Sequence, residues 1–284
     1  MKLLIIGGSG QLSGRLAQMA LAQGHEVWAV TRGNRPLPQG VHALQADRRR
    51  ADDLRAALES AHTQWDAALD CICMSAEDAR IDLNVLPAFT RRAVVVSTDS
   101  VYHPLHKRVP QDEQSDFYMA DGGYGHHKRQ MEEAFLASDR LAFTIFRPGH
   151  IFGPGFLPGC YPEQSRQKHL LSHMHAGKPL RLVDGGSFLI HPIFVDDLAQ
   201  AMLDCITNPL TTGQIYCIGG PDVITNAEYY HTLGRILQTQ AVIESIPLEG
   251  YLDAHPECSG HLCHRSYTLD KMTRHHLRLP RTTL

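Results

Sequence analysis

The stretch that most constrains this chain is its first. Residues 2–6 (KLLII) run continuously apolar and stop at the glycines of GGSGQLSG, after which RLAQMALAQG continues a pattern that sets Leu12, Leu16, Met19 and Ala20 on one helical face before Gly24. A short strand that is apolar on both faces belongs inside a parallel sheet, and a 3.6-residue stripe after it belongs to a helix packed on that sheet. Strand, glycine-rich turn and helix in this order let the backbone approach a pyrophosphate, with helix N–H groups and the positive end of the helix dipole toward the anion. The candidate contacts are Gly7, Ser9, Gly10, Gln11 and Leu12.

The same rhythm continues. HEVWAVTRG, VHALQAD, WDAALDCIC and RRAVVVST read as further strands, with AEDARIDLNVLPAF as an amphipathic helix between the last two. Short apolar strands alternating with helices predict an α/β fold with a Rossmann-type doubly wound parallel sheet. Ligands bind such sheets at the carboxyl ends of the strands. The second strand ends in Thr31, Arg32 and Gly33; a carboxylate there would hold a ribose 2′-hydroxyl, whereas Arg32 suits a 2′-phosphate, so NADP is favoured over NAD. Asp47, at the end of the third strand, could reach an adenine amino group or cap the helix that starts near Asp52. Ser97, Thr98, Asp99 and Ser100 close the fifth strand.

Beyond that strand, DGGYGHHKRQMEEAFLAS has Tyr124, Met131 and Phe135 at helical spacing and Lys128 four residues after Tyr124. Residues four apart share a face, so phenol and ammonium are expected side by side on the face that packs on the sheet. A lysine beside a phenol favours the phenolate, which suits proton transfer to or from a carbonyl or alcohol oxygen. The alternative for Tyr124 is an interfacial core tyrosine, and for Thr98 a strand-end hydroxyl that satisfies backbone.

Taken together, IIGGSGQLSGR, GHEVWAVTRG, STDSVY, YGHHK, FRPGHIFGPG and HPIFVDDLAQAM, in this order, resemble the short-chain dehydrogenase/reductase superfamily, and within it the extended and atypical NAD(P)-dependent epimerases and dehydratases. The resemblance covers most of the chain. It implies that Tyr124 is the general acid/base, that Lys128 holds the nicotinamide ribose and tunes Tyr124, and that Thr98 hydrogen-bonds the reacting oxygen. Arg147 and Pro148 fall in the segment that closes over the nicotinamide. It also implies a Rossmann domain over 1–155, with segments of about 190–220 returning to it, and a small C-terminal substrate lobe from 156–189 and 221–284. The expected activity is hydride transfer at a carbonyl or alcohol carbon of a sugar or sugar nucleotide, as epimerase or reductase. The alternatives are an NADPH-dependent reductase of a non-sugar carbonyl and a non-catalytic NAD(P)- or RNA-binding regulator.

Two departures stand out. Ser13 occupies the third glycine position, so either the turn tolerates serine or the helix begins one residue later. Ser100 stands where related dehydratases carry a glutamate that removes a ring proton, which disfavours dehydration, although Asp99 could act as an acid or cap a turn.

With 27 basic and 30 acidic residues and a formal charge of −3, nucleic acid is not the expected partner, although a local basic patch such as Arg48, Arg49 and Arg50 could form. The apolar run at the start is too short for a leader or a membrane span, so a cytoplasmic location without membrane attachment is expected. Of seven cysteines, Cys71, Cys73, Cys160, Cys205 and Cys217 read as reduced core thiols. Cys258, His261, Cys263 and His264 cluster in the tail with a spacing that fits no common zinc knuckle, so no metal is expected. Leu170, Leu171 and Met174 read as the buried edge of a helix, Arg166, Lys168 and Arg181 as phosphate contacts or solvated charges, and Thr225 with Glu228 as a capping box. The tail is short for the family, so the pocket is either reduced or completed by a second subunit in a homodimer.

Overall fold

A computed structural model of the chain describes residues 1–165 and 167–284. The order begins β1 (Lys2–Ile6), α1 (Gln11–Ala22), β2 (Glu26–Thr31), β3 (His42–Gln45), α2 (Ala51–Ser60), β4 (Ala67–Asp70), α3 (Ala76–Val85), β5 (Arg92–Val96), α4 (Tyr124–Leu136) and β6 (Ala142–Pro148). It continues β7 (Ile151–Phe152), α5 (Leu170–His175), β8 (Leu180–Val183), β9 (Leu189–Ile190), β10 (Ile193–Phe194), α6 (Val195–Asp204), β11 (Gln214–Ile218), β12 (Ile224–Thr225), α7 (Asn226–Ile236), β13 (Ile243–Ile246), α8 (Leu248–Ala254) and α9 (Asp270–Arg274).

Seven strands form one sheet in the order β11-β6-β5-β4-β1-β2-β3, parallel throughout. β1 sits where the order reverses, with β2 on one side and β4 on the other, and a crevice opens at its carboxyl end. Its alternation feeds both faces. Leu4 and Ile6 join the core under α2, α3 and α4 with Leu54, Leu83, Met131 and Phe135, while Leu3 and Ile5 join the opposite core with Leu16 of α1 and Leu198 and Met202 of α6. All four of these β1 side chains are fully buried, each contributing about 2 kcal/mol of apolar burial. The doubly wound expectation holds.

A separate core gathers Cys160, Leu170, Met174, Leu180, Leu182, Tyr229 and Tyr230 from α5, α7, the β8–β13 pair and the loop before them. Of the buried edge expected for α5, Leu171 is instead exposed, because it points away from this cluster. The 221–284 stretch divides: Met272 and Leu277, expected in the lobe, pack with α1 and α6 on the main sheet. The capping box forms, with Thr225 Oγ1 accepting from the Glu228 N–H and Glu228 accepting from the Thr225 N–H.

Arg48 does not contribute to the basic patch that could have formed with Arg49 and Arg50. It is 5% exposed and holds Asp70, Asp78 and Asp82 at 2.5, 2.8 and 2.7 Å. A buried guanidinium needs such partners, and its five N–H groups suit several carboxylates at once.

α4 approaches the end of β5 so closely that a Cβ on Gly125 would stand 2.0 Å from the Ser100 carbonyl oxygen. Only glycine permits that contact, and the neighbour is backbone and cannot rotate away. Gly125→Ala should therefore lower unfolding stability by about 1–3 kcal/mol, measured by urea denaturation, by pushing α4 off the strand end.

Candidate active site

The glycine turn is built by sterics. Gly7 and Gly8 have φ of 121° and 86°, and a Cβ on Gly8 would stand 2.5 Å from that of Ala29. α1 then starts at Gln11, with Gly10 extended as its cap, no side-chain cap and no acidic residue in its first turn. Ser13 settles the first departure: it is buried within the helix, and its Oγ accepts the Gly10 N–H at 3.0 Å, so serine fits the third glycine position without shifting the helix. A cleft of about 570 Å³ opens over this uncapped end and is lined there by Gly10, Gln11, Leu12 and Ser13. Uncapped first-turn N–H groups with no competing carboxylate fit a dinucleotide pyrophosphate. The Gln11 side-chain amide also donates to the Gly155 carbonyl, tying the FGPG loop to the turn.

The other expected cofactor contacts divide. Gly7 and Ser9 shape the turn beneath the cleft wall, Gly7 donating its N–H to the Val30 carbonyl at 3.0 Å. Arg32 is exposed just beyond β2, with its carbonyl accepting from Gln45. Asp47 accepts the Arg49 N–H at 3.1 Å, and the residue that caps α2 is Arg50, so Asp47 closes its own turn and does not cap the helix. Pro148 lines the cleft.

Arg147 does not belong with them. It is 1% exposed and grips Glu132 of α4 at 2.8 and 2.6 Å, while also donating to the Tyr102 hydroxyl at 2.7 Å. Ser97 adds a 2.6 Å bond to the same carboxylate. Arg147 therefore locks α4 to the ends of β5 and β6 and is structural, because a buried Glu132 requires a charged partner.

One turn before Glu132, Lys128 is 2% exposed and donates to the carbonyls of Cys73 and Val96 at 2.7 and 2.6 Å, at the ends of β4 and β5. Burial lowers its pKa from the ordinary value, opposed by Asp70 and Glu132 among others. Tyr124, the first residue of α4, is 53% exposed and stands on the cleft wall with Lys128, Thr98 and Ser100. The expectation that it faces the sheet, or is a core residue, is corrected. The first turn of α4 overhangs the sheet edge, and Asp121 accepting the Gly123 N–H at 2.9 Å steadies it there.

Thr98 Oγ1 accepts the Ser100 N–H at 3.2 Å and donates to Asp99 at 3.3 Å, so a hydroxyl on the cleft wall is also the cap of the following turn. Asp99 itself is 3% exposed. Arg265 donates to both its oxygens at 3.0 and 2.9 Å and Tyr267 to one at 2.6 Å. Burial alone would raise its pKa, but the charges of Arg265 and Lys107 and the Tyr267 hydroxyl outweigh burial and hold it below the ordinary value. Asp99 is thus a carboxylate and not an acid, which removes that role.

The comparisons with known proteins fit this arrangement. The model of the NAD dependent epimerase/dehydratase family matches residues 3–219. The chain belongs to that family. A 2′-dehydrokanamycin reductase of Streptomyces kanamyceticus is 27% identical over 83% of this chain and 67% of its own length. The chloroplast stem-loop binding protein of 41 kDa b of Arabidopsis thaliana is 24% identical over 79% of this chain and 60% of its own length. The chain thus spans about two thirds or less of these relatives. A Thermus thermophilus UDP-glucose 4-epimerase, solved with NAD, has the same fold at a TM-score of 0.72 and 16% identity, covering 98% of this chain and 94% of that one.

For an epimerase/dehydratase family member the far wall of the cleft is the informative part. His150, Cys160, Tyr161, Phe188, Asn226, His261, Cys263 and Arg265 form much of it; of these the sequence had singled out His261 and Cys263 as metal candidates and Cys160 as a core thiol. The tail residues have separate contacts: His264 accepts the Leu189 N–H at 3.2 Å, and His261 stacks on Tyr161 with ring centroids 4.2 Å apart. Among the described residues, the group of His, Cys, Asp or Glu close enough to share an ion is Asp70, Cys73 and Asp82, where Arg48 already bonds both carboxylates. Of the expected phosphate contacts, Lys168 and Arg181 are exposed and outside the cleft wall, and Arg166 lies outside the described residues. Among the described residues no helix is long and apolar enough to cross a membrane.

Arg265 makes a stability prediction. The depressed folded-state pKa of Asp99 contributes stability that is present above its unfolded value, near 3.8, and is lost as pH falls through the folded value. Arg265→Met should leave little deficit in strong acid and a deficit that widens with pH to about 3 kcal/mol at pH 7, followed by urea denaturation across that range.

Proposed function

We propose that this chain is an NAD(P)-dependent oxidoreductase acting at a carbonyl or alcohol carbon of a sugar-like substrate, as a net reductase or an epimerase. The observation that supports this best is that Thr98, Tyr124 and Lys128 stand on the wall of the same cleft as the uncapped start of α1. The bound nicotinamide would supply or accept the hydride. Tyr124, half-exposed on the cleft wall, gives the proton to the substrate oxygen during reduction and takes it during oxidation. Thr98 orients that oxygen by turning its one hydroxyl proton from Asp99 to it, while its own oxygen keeps accepting the Ser100 N–H. Lys128 has two carbonyl partners, which leaves one of its three protons for a ribose hydroxyl.

Exposed Arg32 supports NADP, and with the reductase among the relatives it supports net reduction. A reductase consumes NADPH stoichiometrically, whereas an epimerase recycles the cofactor with no net absorbance change. RNA binding is a second reading, carried by the stem-loop binding relative. The acidic balance of the chain and the presence of both Tyr124 and Lys128 weigh against it, and retardation of a stem-loop RNA at moderate salt would favour it.

Titration with NADPH and NADH, followed by nicotinamide fluorescence, tests the cofactor, and a screen of sugar and sugar-nucleotide carbonyls tests turnover. Tyr124→Phe should bind NADPH as the wild type does and lose about 100-fold or more in turnover. Arg32→Ala should weaken NADPH by about tenfold or more and leave NADH unchanged. Absence of binding by either nucleotide, or undiminished turnover in Tyr124→Phe, would overturn the proposal.

A further inference from the structure

The C-terminal segment brings Arg265 against two further residues of the cleft wall. Through Nη1 it donates to both oxygens of Asp99, and through Nη2 to the Gly260 carbonyl at 2.8 Å and to Nδ1 of His261 at 3.4 Å. A guanidinium only donates, so Nδ1 of His261 accepts and the neutral ring carries its proton on Nε2. Arg265 thus fixes two protonation states side by side, Asp99 as a carboxylate and His261 as an Nε2–H donor.

The ring is held ready for a ligand. It lines the cleft beside Tyr161 and stacks on that phenol, with centroids 4.2 Å apart and planes inclined by 15°, so the imidazole keeps one orientation. Its Nε2 has no hydrogen-bond partner among the described residues and is not one of the wholly buried polar atoms, so a molecule in the cleft can reach it. The charged groups facing the ring are Arg265, Asp99 and Lys107. Burial, reinforced by the charges of Arg265 and Lys107 and opposed by Asp99, pushes its pKa down to about 4, so the imidazole is uncharged at neutral pH. A fixed, neutral N–H on the wall of a cleft is satisfied by an oxygen acceptor of whatever fills that cleft.

Resting on the hydride-transfer reading above, we propose that His261 is a substrate-binding residue whose Nε2–H donates to an oxygen of the substrate, a sugar hydroxyl or a phosphate oxygen, with Arg265 holding the tautomer that makes this possible. His261 binds and takes no part in the chemical step, which stays with Tyr124.

The test is long-range proton–nitrogen NMR of the isotope-labelled full chain, with the His261 ring assigned through its backbone. It is read from about pH 5.5 to 8 without cofactor, and then with methyl glucoside, glucose 1-phosphate and UDP-glucose, each with and without NADPH. The proposal expects an Nε2–H tautomer that stays uncharged across this range and an Nε2 signal moved by at least one of these probes. It also expects His261→Phe to weaken that probe about three- to tenfold while retaining the wild-type thermal melt. A response to the glucoside assigns the acceptor to a hydroxyl, and a response to the phosphate-bearing probes alone assigns it to a phosphate. An Nδ1–H tautomer, protonation with a midpoint near the ordinary value of about 6.5, a signal that none of the probes moves, or undiminished binding in His261→Phe would overturn the proposal. Should His261→Phe fail to fold, the wild-type ring signals decide. Failure of NADPH to bind would remove the hydride-transfer reading alone, since the cofactor-free spectra still report on His261.

Discussion

The docking of α4 onto the ends of β4 and β5 is the constraint on which the rest of the site depends. Gly125 lets the helix touch the Ser100 backbone, and one turn later Lys128 places its ammonium between the Cys73 and Val96 carbonyls. A further turn along, Glu132 joins Arg147 and Ser97. Glycine, lysine and glutamate thus fix one helix face against three strand ends. The consequence is functional: Tyr124, at the start of the same helix, is carried over the edge of the sheet and into the cleft.

Among the described residues, three largely buried arginines are matched with carboxylates. Arg48 serves three aspartates under β4, Arg147 serves Glu132, and Arg265 serves Asp99. Arg92 is buried without a carboxylate and instead donates to Thr144, Thr211 and Thr212 hydroxyls and the Cys205 carbonyl. Each of these groups would be costly if it lost one member, because the remaining ion would be left in a medium of low polarity. These pairings hold the strand ends together beneath a cleft lined by hydroxyls, aromatic rings, Lys128, Arg265 and the open helix end of α1.

What was legible in the sequence was what local periodicity and spacing record. The apolar run of Leu3–Ile6, the turn after it and the stripe of α1 predict the sheet and its switch point, and the Tyr124 to Lys128 spacing places both on α4. Contacts across long sequence distances were not legible. Arg147 reads as a cation before Pro148, and nothing near it announces Glu132, 15 residues earlier. Asp99 reads as an acid or a cap until Arg265, 166 residues on, is seen to bond both of its oxygens. Periodicity could not show that Tyr124 would be open to the cleft, because its helix overhangs the sheet by one turn.

The central claim is that a dinucleotide lies from the open end of α1 to Lys128. Hydrogen–deuterium exchange with and without NADPH measures this most directly, since it reads the backbone groups themselves and needs no substrate. The account predicts slowed exchange across residues 10–13 of the turn and across 71–74 and 96–100 at the ends of β4 and β5, with β8 and β13 unchanged. Unaltered exchange in the turn, or slowing confined to β8 and β13, would contradict it.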